Sequence, residues 1–429
     1  MIGSGAREHA LVARLVRDPG VVVVAAPGNP GIARIARTAS VDISNLDQTV
    51  RLANDERADL TVVGPEHPLA LGIADRFAIE KRALVGPTAA AARLESSKAF
   101  AKALMTRHRI PTARFQTTDS LDEALSIVRG GALGFPLVIK ADGLAAGKGV
   151  TIADDVEAAE AAVTAAMSDR KFGAAGSRVV MEECLSGQEV SFFAISDGSR
   201  ALPIGTAQDH KRIFDDDRGP NTGGMGAFAP SPLVDSAMQS RIMDEIVHPT
   251  IAGMAAEGHP FRGFLYVGLM LTALGPKVIE FNARLGDPEA QVILPLIDEP
   301  LAPLLAAAAS GALRAPAIRI GAGCLAGVVL ASRGYPESSR SGHAIAGIDR
   351  AAAIDGVSVY HAGTALRDGK LVTAGGRVLT IVGRGADFAE AIARAYAGTL
   401  QISFEGMQYR RDIGRKALVH HSQRIDVSR

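Results

Sequence analysis

At 429 residues the chain exceeds one typical hydrophobic core, so two to four domains are expected. Its 46 basic and 46 acidic residues cancel, which argues against nucleic acid or a membrane surface as a partner. The two cysteines, Cys184 and Cys324, sit in apolar settings; a disulfide would use both, and buried free thiols of a reducing compartment are the favoured reading.

The opening MIGSGAREHA carries charges where a secretory signal needs apolar residues, and no apolar run reaches the roughly 18 residues of a membrane span. A cytoplasmic location is expected. Residues 2–5, IGSG, form a glycine turn opening a helix with apolar positions at Ala10, Leu11, Leu15 and Val16. Only Met1 and Ile2 precede Gly3, so the strand that a dinucleotide fold needs there is expected to be nearly absent. VVVVAAPGNPG (21–31) is a buried-type strand ending in Gly28, Asn29, Pro30 and Gly31. DLTVVGPEHPLALGIADRF (59–77) repeats the scheme with Gly64, Pro65 and Glu66 after its strand, and ALVGPTAAAARL (83–94) repeats it again. Strands alternating with helices give a parallel α/β layer, whose ligands bind beyond the carboxyl ends of the strands. One such turn is ordinary punctuation; three at corresponding strand ends point to a ligand.

A helix rich in lysine and alanine runs from Ser96 to about His108. FPLVIKADGLAAGKGVTIADD (135–155) reads as strand, glycine-rich loop, strand, with Lys140 ending the first strand and Gly143, Gly147, Lys148 and Gly149 in the loop. Its spacing is not that of a Walker A loop, and a strand rather than a helix follows, so a hairpin lid over phosphates fits better. In 177–198, two strands flank a short connection; by its residues alone this is an amphipathic hairpin, whose Val179 to Glu182 suit an apolar wall beside a backbone edge able to read an adenine, with Glu189 beyond it near a ribose hydroxyl. Residues 205–230 are irregular, mixing Asp209, His210, Lys211 and Arg212 with NTGGMGA, and a loop that long is usually functional or disordered. Ile213, Phe214, Met225 and Phe228 disfavour disorder.

VIEFNARLGDPEAQ (278–291) carries the sharpest chemistry. As a strand over 278–284, alternation puts Glu280, Asn282 and Arg284 on one face and Ile279, Phe281 and Ala283 on a core face. A carboxylate and an amide oxygen are hard ligands of the kind Mg²⁺ prefers beside phosphates. Arg284 adds a rigid donor fork for phosphate or carboxylate. From about residue 315 onward the chain reads as a small α+β domain.

GSGAREHA, PGNPG, VVGPEHPLALGIAD, SKAFAK, PLVIKADGLAAGKGV, HKRIFDDDRGPNTGGMGAFAP, GLMLT, VIEFNARLGDPEAQ, YHAGT, LVTAGGRVLTIVG and YRRDIG together resemble the glycinamide ribonucleotide synthetase family of the ATP-grasp superfamily, over essentially the whole chain. The resemblance implies an α/β and α+β multidomain fold. An N-terminal α/β (pre-ATP-grasp) substrate-binding domain would span 1–95, and an ATP-grasp domain 96–313 with a lid at about 117–185. A C-terminal α+β domain would span 314–429.

It also implies the reaction: ATP, glycine and 5-phosphoribosylamine give glycinamide ribonucleotide, ADP and phosphate through glycyl phosphate, in purine biosynthesis, by a monomer. Mg²⁺ or Mn²⁺ would bind Glu280 and Asn282. ATP would be held by Lys98, Lys140, the lid residues Gly147, Lys148 and Gly149, the hinge at Glu182, Cys184 and Leu185, and Glu189. Asp209, Lys211 and Arg284 would meet the substrate carboxylate and phosphate. Gly28, Asn29, Pro30, Gly31, Gly64, Pro65 and Glu66 would form the phosphoribosylamine side, and Asn221, Gly223 and Gly224 would also bind substrate. The chain departs from the family in its shortened first strand and in Cys184, where bulkier residues are common; backbone atoms do the reading there. Against a dinucleotide-binding module stand the missing strand and the absent acidic residue after VVVVAAPG. Against a non-catalytic nucleotide binder stand Glu280, Asn282 and Lys140, all intact.

Overall fold

The computed structural model describes residues 1–144, 149–168 and 173–419. In the N-terminal part, β1 (Ile2–Gly3), β2 (Val24–Pro27) and β3 (Arg37–Thr38) lie parallel in that order. β4 (Thr61–Val62) and β5 (Leu84–Val85) form a second parallel pair, linked to β1 by a bridge between Ile2 and Val63. The first strand is as short as its sequence suggests. The second begins only at Val24, because Val22 faces solvent at 91 % exposure.

Four strands form a separate antiparallel sheet: β6 (Phe115–Thr118), β7 (Leu137–Ala141), β8 (Val150–Ala153) and β9 (Val179–Glu183), in the order β6-β9-β7-β8. Helices Leu121–Gly130 and Val156–Met167 bury their apolar stripes against it, and Val128, Ile139, Val163, Val179 and Met181 make a core of their own.

The centre is one eight-stranded antiparallel sheet. Its strands are β10 (Gln188–Asp197), β11 (Ala201–Asp209), β14 (Gly226–Ala229), β15 (Arg262–Thr272), β16 (Gly275–Asn282), β17 (Cys324–Ala331), β18 (Val357–His361) and β21 (Arg377–Gly385). Their order is β16-β15-β10-β11-β14-β17-β21-β18, so the sheet runs without a break across residue 314. Two small hairpins hang from it, β12 (Arg212–Phe214) with β13 (Arg218–Asn221), and β19 (Thr364–Arg367) with β20 (Lys370–Thr373).

Several sequence expectations are corrected. The segment after Asp209 is not structureless: the β12–β13 hairpin and β14 order it. The helix expected from Ser96 to about His108 is Lys98–Arg107, starting two residues later because the Ser97 hydroxyl caps it by accepting from Phe100 N–H, and the helix expected within 83–94 is Ala89–Ser96. Neither cysteine is buried: Cys184 is exposed and Cys324 intermediate, both free. The key strand ends at Asn282, so Arg284 lies in the bend beyond it. Within β16, Gly268 faces Glu280 while Leu269 faces Val278, which makes Ile279 the extra residue of a bulge. The buried set is therefore Val278, Phe281 and Ala283, and Ile279 is only half-buried.

Candidate active site

Glu280 and Asn282 still share the face of β16 opposite the core. The Glu280 carboxylate makes no hydrogen bond or ion pair with a described residue. The Asn282 amide is satisfied when its nitrogen donates to Glu95 Oε1 (3.0 Å) and to the Phe281 carbonyl (3.2 Å). A carboxylate with no partner among the described residues, beside an amide oxygen, has the donor chemistry of a hard divalent cation site. Arg284 is already engaged: Nη2 lies 2.9 Å from Glu95 Oε1 and Nε 3.2 Å from Glu66 Oε2. Burial works against its charge, but Glu95 and Glu66 raise its pKa further. It ties the Glu66 turn to the end of β16.

Asp209 closes β11 opposite Ala227 of β14, and Lys211 follows it. Lys211 Nζ is 2.7 Å from Glu189 Oε2. Burial alone would lower the Lys211 pKa, yet Asp209 and Glu189 hold it well above the ordinary lysine value, with Tyr266 and Glu280 adding to the field. Asp209 is pushed up by burial and by the Glu189 and Glu280 carboxylates, against the pull of Lys211. Glu289 is raised to about 7 by burial and then by Asp209. Ser191 Oγ donates to Glu289 Oε1 at 3.2 Å and lies 3.2 Å from the Tyr266 hydroxyl. Several carboxylates thus surround one ammonium, an arrangement that can accept further positive charge and a proton.

Across the cleft, Lys98 Nζ donates to the carbonyls of Ala141 (3.0 Å) and Gly143 (2.9 Å). Burial lowers its pKa, and Glu280 partly offsets this. Lys140 Nζ is 2.8 Å from Glu182 Oε1 and donates to the Ile279 carbonyl at 3.1 Å, which joins the four-stranded sheet to the bulge before Glu280. Cys184 and Leu185 occupy the connection between β9 and β10, and Gly149 ends the loop before β8. Gly147 and Lys148 lie outside the described residues.

The N-terminal turns meet the C-terminal part. Asn29 Nδ2 donates to the carbonyls of Ser4 and His361, both at 2.8 Å, and its Oδ1 accepts from Gly31 and Ile32 N–H, both at 2.9 Å. A Cβ on Gly31 would meet His361 and His9 ring carbons at 2.5 Å, so only glycine fits. Asn29 and Gly31 are therefore spent on holding the junction, while Gly28, Pro30, Gly64 and Pro65 contribute backbone around it. Asn221 ends β13, exposed. Gly223 N–H donates to the Tyr335 hydroxyl (2.9 Å), and Gly224, at φ 107°, packs against Pro288.

Sequence reading missed Glu95, Glu289, Tyr266, Lys102, Tyr335 and Arg377. Glu289 lay inside the singled-out segment, directly after its Gly286-Asp287-Pro288 break, and Lys102 and Arg377 lay inside the SKAFAK and LVTAGGRVLTIVG stretches.

Family models match in three consecutive blocks: the N domain of phosphoribosylglycinamide synthetase over residues 1–95, its ATP-grasp (A) domain over 96–290, and its C domain over 325–416. The chain is 49 % identical over 424 residues to a phosphoribosylamine–glycine ligase of Xylella fastidiosa, covering 98 % of each chain. It is 47 % identical over 422 residues to one of Pseudomonas aeruginosa, covering 97 % of each. The crystal structure of phosphoribosylamine–glycine ligase from Thermotoga maritima superposes with a TM-score of 0.84 at 34 % identity, covering 96 % of this chain and 98 % of that one. The biotin carboxylase domain of Hydrogenobacter thermophilus 2-oxoglutarate carboxylase, solved with MgADP, ADP and bicarbonate, shares the fold at 16 % identity and a TM-score of 0.73, covering 95 % of this chain and 90 % of that one.

Proposed function

The chain belongs to the phosphoribosylglycinamide synthetase family, and from that premise we infer that it uses ATP to join glycine to 5-phosphoribosylamine, giving glycinamide ribonucleotide, ADP and phosphate. The observation that carries this reading is the identity to phosphoribosylamine–glycine ligases along the whole chain, with Lys140 of the four-stranded sheet bonded to the Ile279 carbonyl next to Glu280.

A carboxylate is a poor acyl donor to an amine. In the proposed course a glycine carboxylate oxygen attacks the γ-phosphorus and ADP leaves. The amine of phosphoribosylamine then attacks the acyl carbon of glycyl phosphate, and phosphate leaves with the electron pair of the broken C–O bond. The nitrogen gives up one proton. Asp209 and Glu289, whose carboxyls burial holds high, are the groups suited to take it. Lys98 and Lys140 bind phosphate oxygens, and the connection at Cys184 and Leu185 presents backbone to the adenine. Glu280 and Asn282 would hold Mg²⁺ or Mn²⁺, which supplies charge neutralisation on the phosphates. Lys211 orients the glycine carboxylate. Arg284 keeps Glu66 and its turn facing the phosphoribosylamine side. The four-stranded sheet covers the phosphates and keeps water from the acyl phosphate. Among the described residues no helix is long and apolar enough to cross a membrane.

Hydroxylamine in place of phosphoribosylamine tests the intermediate, since it traps glycyl phosphate as glycine hydroxamate. Hydroxamate formed in step with ADP, from glycine but not from other amino acids, is expected. ADP release without hydroxamate would rule out a free-standing glycyl phosphate.

A further inference from the structure

We propose that Lys102 is a positioning residue of the nucleotide site: it holds the Glu182 carboxylate from behind, so that Lys140 keeps an uncommitted positive charge for the ATP phosphates. This rests on the reading of Lys140 as a phosphate ligand. Lys102 stands one turn beyond Lys98 on the helix Lys98–Arg107. Its Nζ lies 3.0 Å from Glu182 Oε2 and donates to Thr112 Oγ1 at 2.7 Å. Thr112 in turn donates to the Val278 carbonyl at 2.7 Å, at the foot of the metal-facing strand. The Phe115 ring, 5.2 Å from Nζ, closes the other side.

Glu182 presents its second oxygen to Lys140. That contact is an ion pair at 2.8 Å without hydrogen-bond geometry, and Lys140 spends its hydrogen bond on Ile279 instead. The side chains of Lys102, Glu182 and Lys140 are 2 %, 4 % and 7 % exposed, so water screens none of them. Lys102 spends its ammonium on Glu182 and Thr112. Burial is the largest influence on its ammonium and lowers its pKa to about 8, while Glu182 acts to keep it charged.

Two ammonium groups around one carboxylate carry a single net positive charge. Without Lys102, Glu182 and Lys140 would form a neutral, buried, mutually saturated pair. ATP could then reach Lys140 only by breaking that pair, and Glu182 would be left as an unpaired buried carboxylate. The phosphates would also lose the field of one nearby cation in a region of low dielectric. The other charges near the trio are Lys98, Asp142 and Glu280 and Glu183, which Arg114 and Lys277 hold; none of them sets a second ammonium against Glu182.

The test is ATP binding by calorimetry on the full chain. Lys102→Met is expected to weaken binding about tenfold or more. KM for ATP should rise by the same factor, while kcat at saturating ATP stays within about threefold. Adding Glu182→Gln to Lys102→Met removes the charge that captures Lys140, so the double variant should bind ATP as well as Glu182→Gln alone. A purely structural lysine would show no such restoration. If Lys102→Met does not fold, Lys102→Gln, which keeps a polar group against Thr112, carries the same expectations. Parental affinity in the Lys102 variant, or a double variant no better than Lys102→Met, overturns the proposal. Lys140→Met measured alongside separates the premise: parental ATP affinity there would defeat the phosphate role of Lys140 whatever Lys102 does.

Discussion

Arg377 Nη2 lies 3.1 Å from Asp287 Oδ2, and the same guanidinium donates to the Asp287 carbonyl at 2.6 Å and to the carbonyl of Gly223. One side chain from β21 thus clamps the loop after β13 to the loop after β16. Arg377→Ala should lower stability by about 2–3 kcal/mol, because it strips partners from half-buried acceptors. It should also lower kcat by up to about 10²-fold, since both loops carry proposed substrate contacts. Denaturant midpoints and steady-state rates check both. A shifted midpoint with parental kcat/KM for glycine and phosphoribosylamine would make the clamp structural only.

Glu280 and Phe281 are adjacent and face opposite ways. Glu280→Gln keeps volume but removes the charge offered to a cation; turnover should fall about 10²–10³-fold, with little change in stability. Phe281 is 2 % exposed, and Phe281→Ala should destabilise by about 3–5 kcal/mol. Turnover measured against Mg²⁺ concentration separates the two. Parental turnover by Glu280→Gln at every Mg²⁺ level would remove the metal from that position.

Asn29 was read from sequence as a substrate contact, but every polar atom of its side chain is used within the chain. Asn29→Ala should destabilise by about 2–4 kcal/mol through lost hydrogen bonds and an orphaned His361 carbonyl. The KM for phosphoribosylamine should move less than threefold in the fraction that stays folded, about 0.6 kcal/mol in binding. A KM raised tenfold at parental stability would return Asn29 to the substrate.

His9, His210 and His361 have pKa values lowered, chiefly by burial, to about 3, about 3 and about 4. Above the ordinary value of 6.5 they are neutral folded and unfolded, and their burial costs no protons. Below about 6.5 the unfolded chain takes up protons that the folded chain refuses, so stability falls with pH by up to about 1.4 kcal/mol per pH unit for each histidine. The fall ends as each folded pKa is reached. His9 Nδ1 accepts the His361 N–H at 2.9 Å, which a proton there would forbid. His9→Gln should flatten the slope of stability between pH 6 and pH 4 by about one proton. Equal slopes for variant and parent would mean that His9 is protonated without unfolding the junction.

Local pattern carried the sequence reading a long way. Period-two alternation found Glu280 and Asn282 on one face, and glycine turns marked the ends of the short parallel strands. The bulge at Ile279 left no mark, because Val278 and Ile279 are both apolar and β-branched and either could face the core. Partners distant in sequence were invisible for a different reason. Glu95 accepts from Ala283 across 188 residues, and Arg377 reaches Asp287 across 90. Those distances are closed by tertiary packing, which no window of neighbouring residues encodes. Arg284 shows the consequence: its fork was legible, but the two carboxylates that occupy it were not.

β14 is paired on one side with β11 and on the other with β17, in a register that sets Gly226 opposite Val328 and Ala229 opposite Leu325. That seam decides what can be exchanged between relatives. A chimera that joins the first 314 residues of one homologue to the remainder of another must reproduce this four-rung register, and a slip of one residue would turn the inward face of β17 outward. A gene divided at the same point would give a first half with a bare, fully apolar strand edge, prone to pair with copies of itself. Two such halves should regain activity only when made together. Recombination should therefore succeed more often at the surface hairpins, such as β19–β20, than at the boundary that sequence composition suggests.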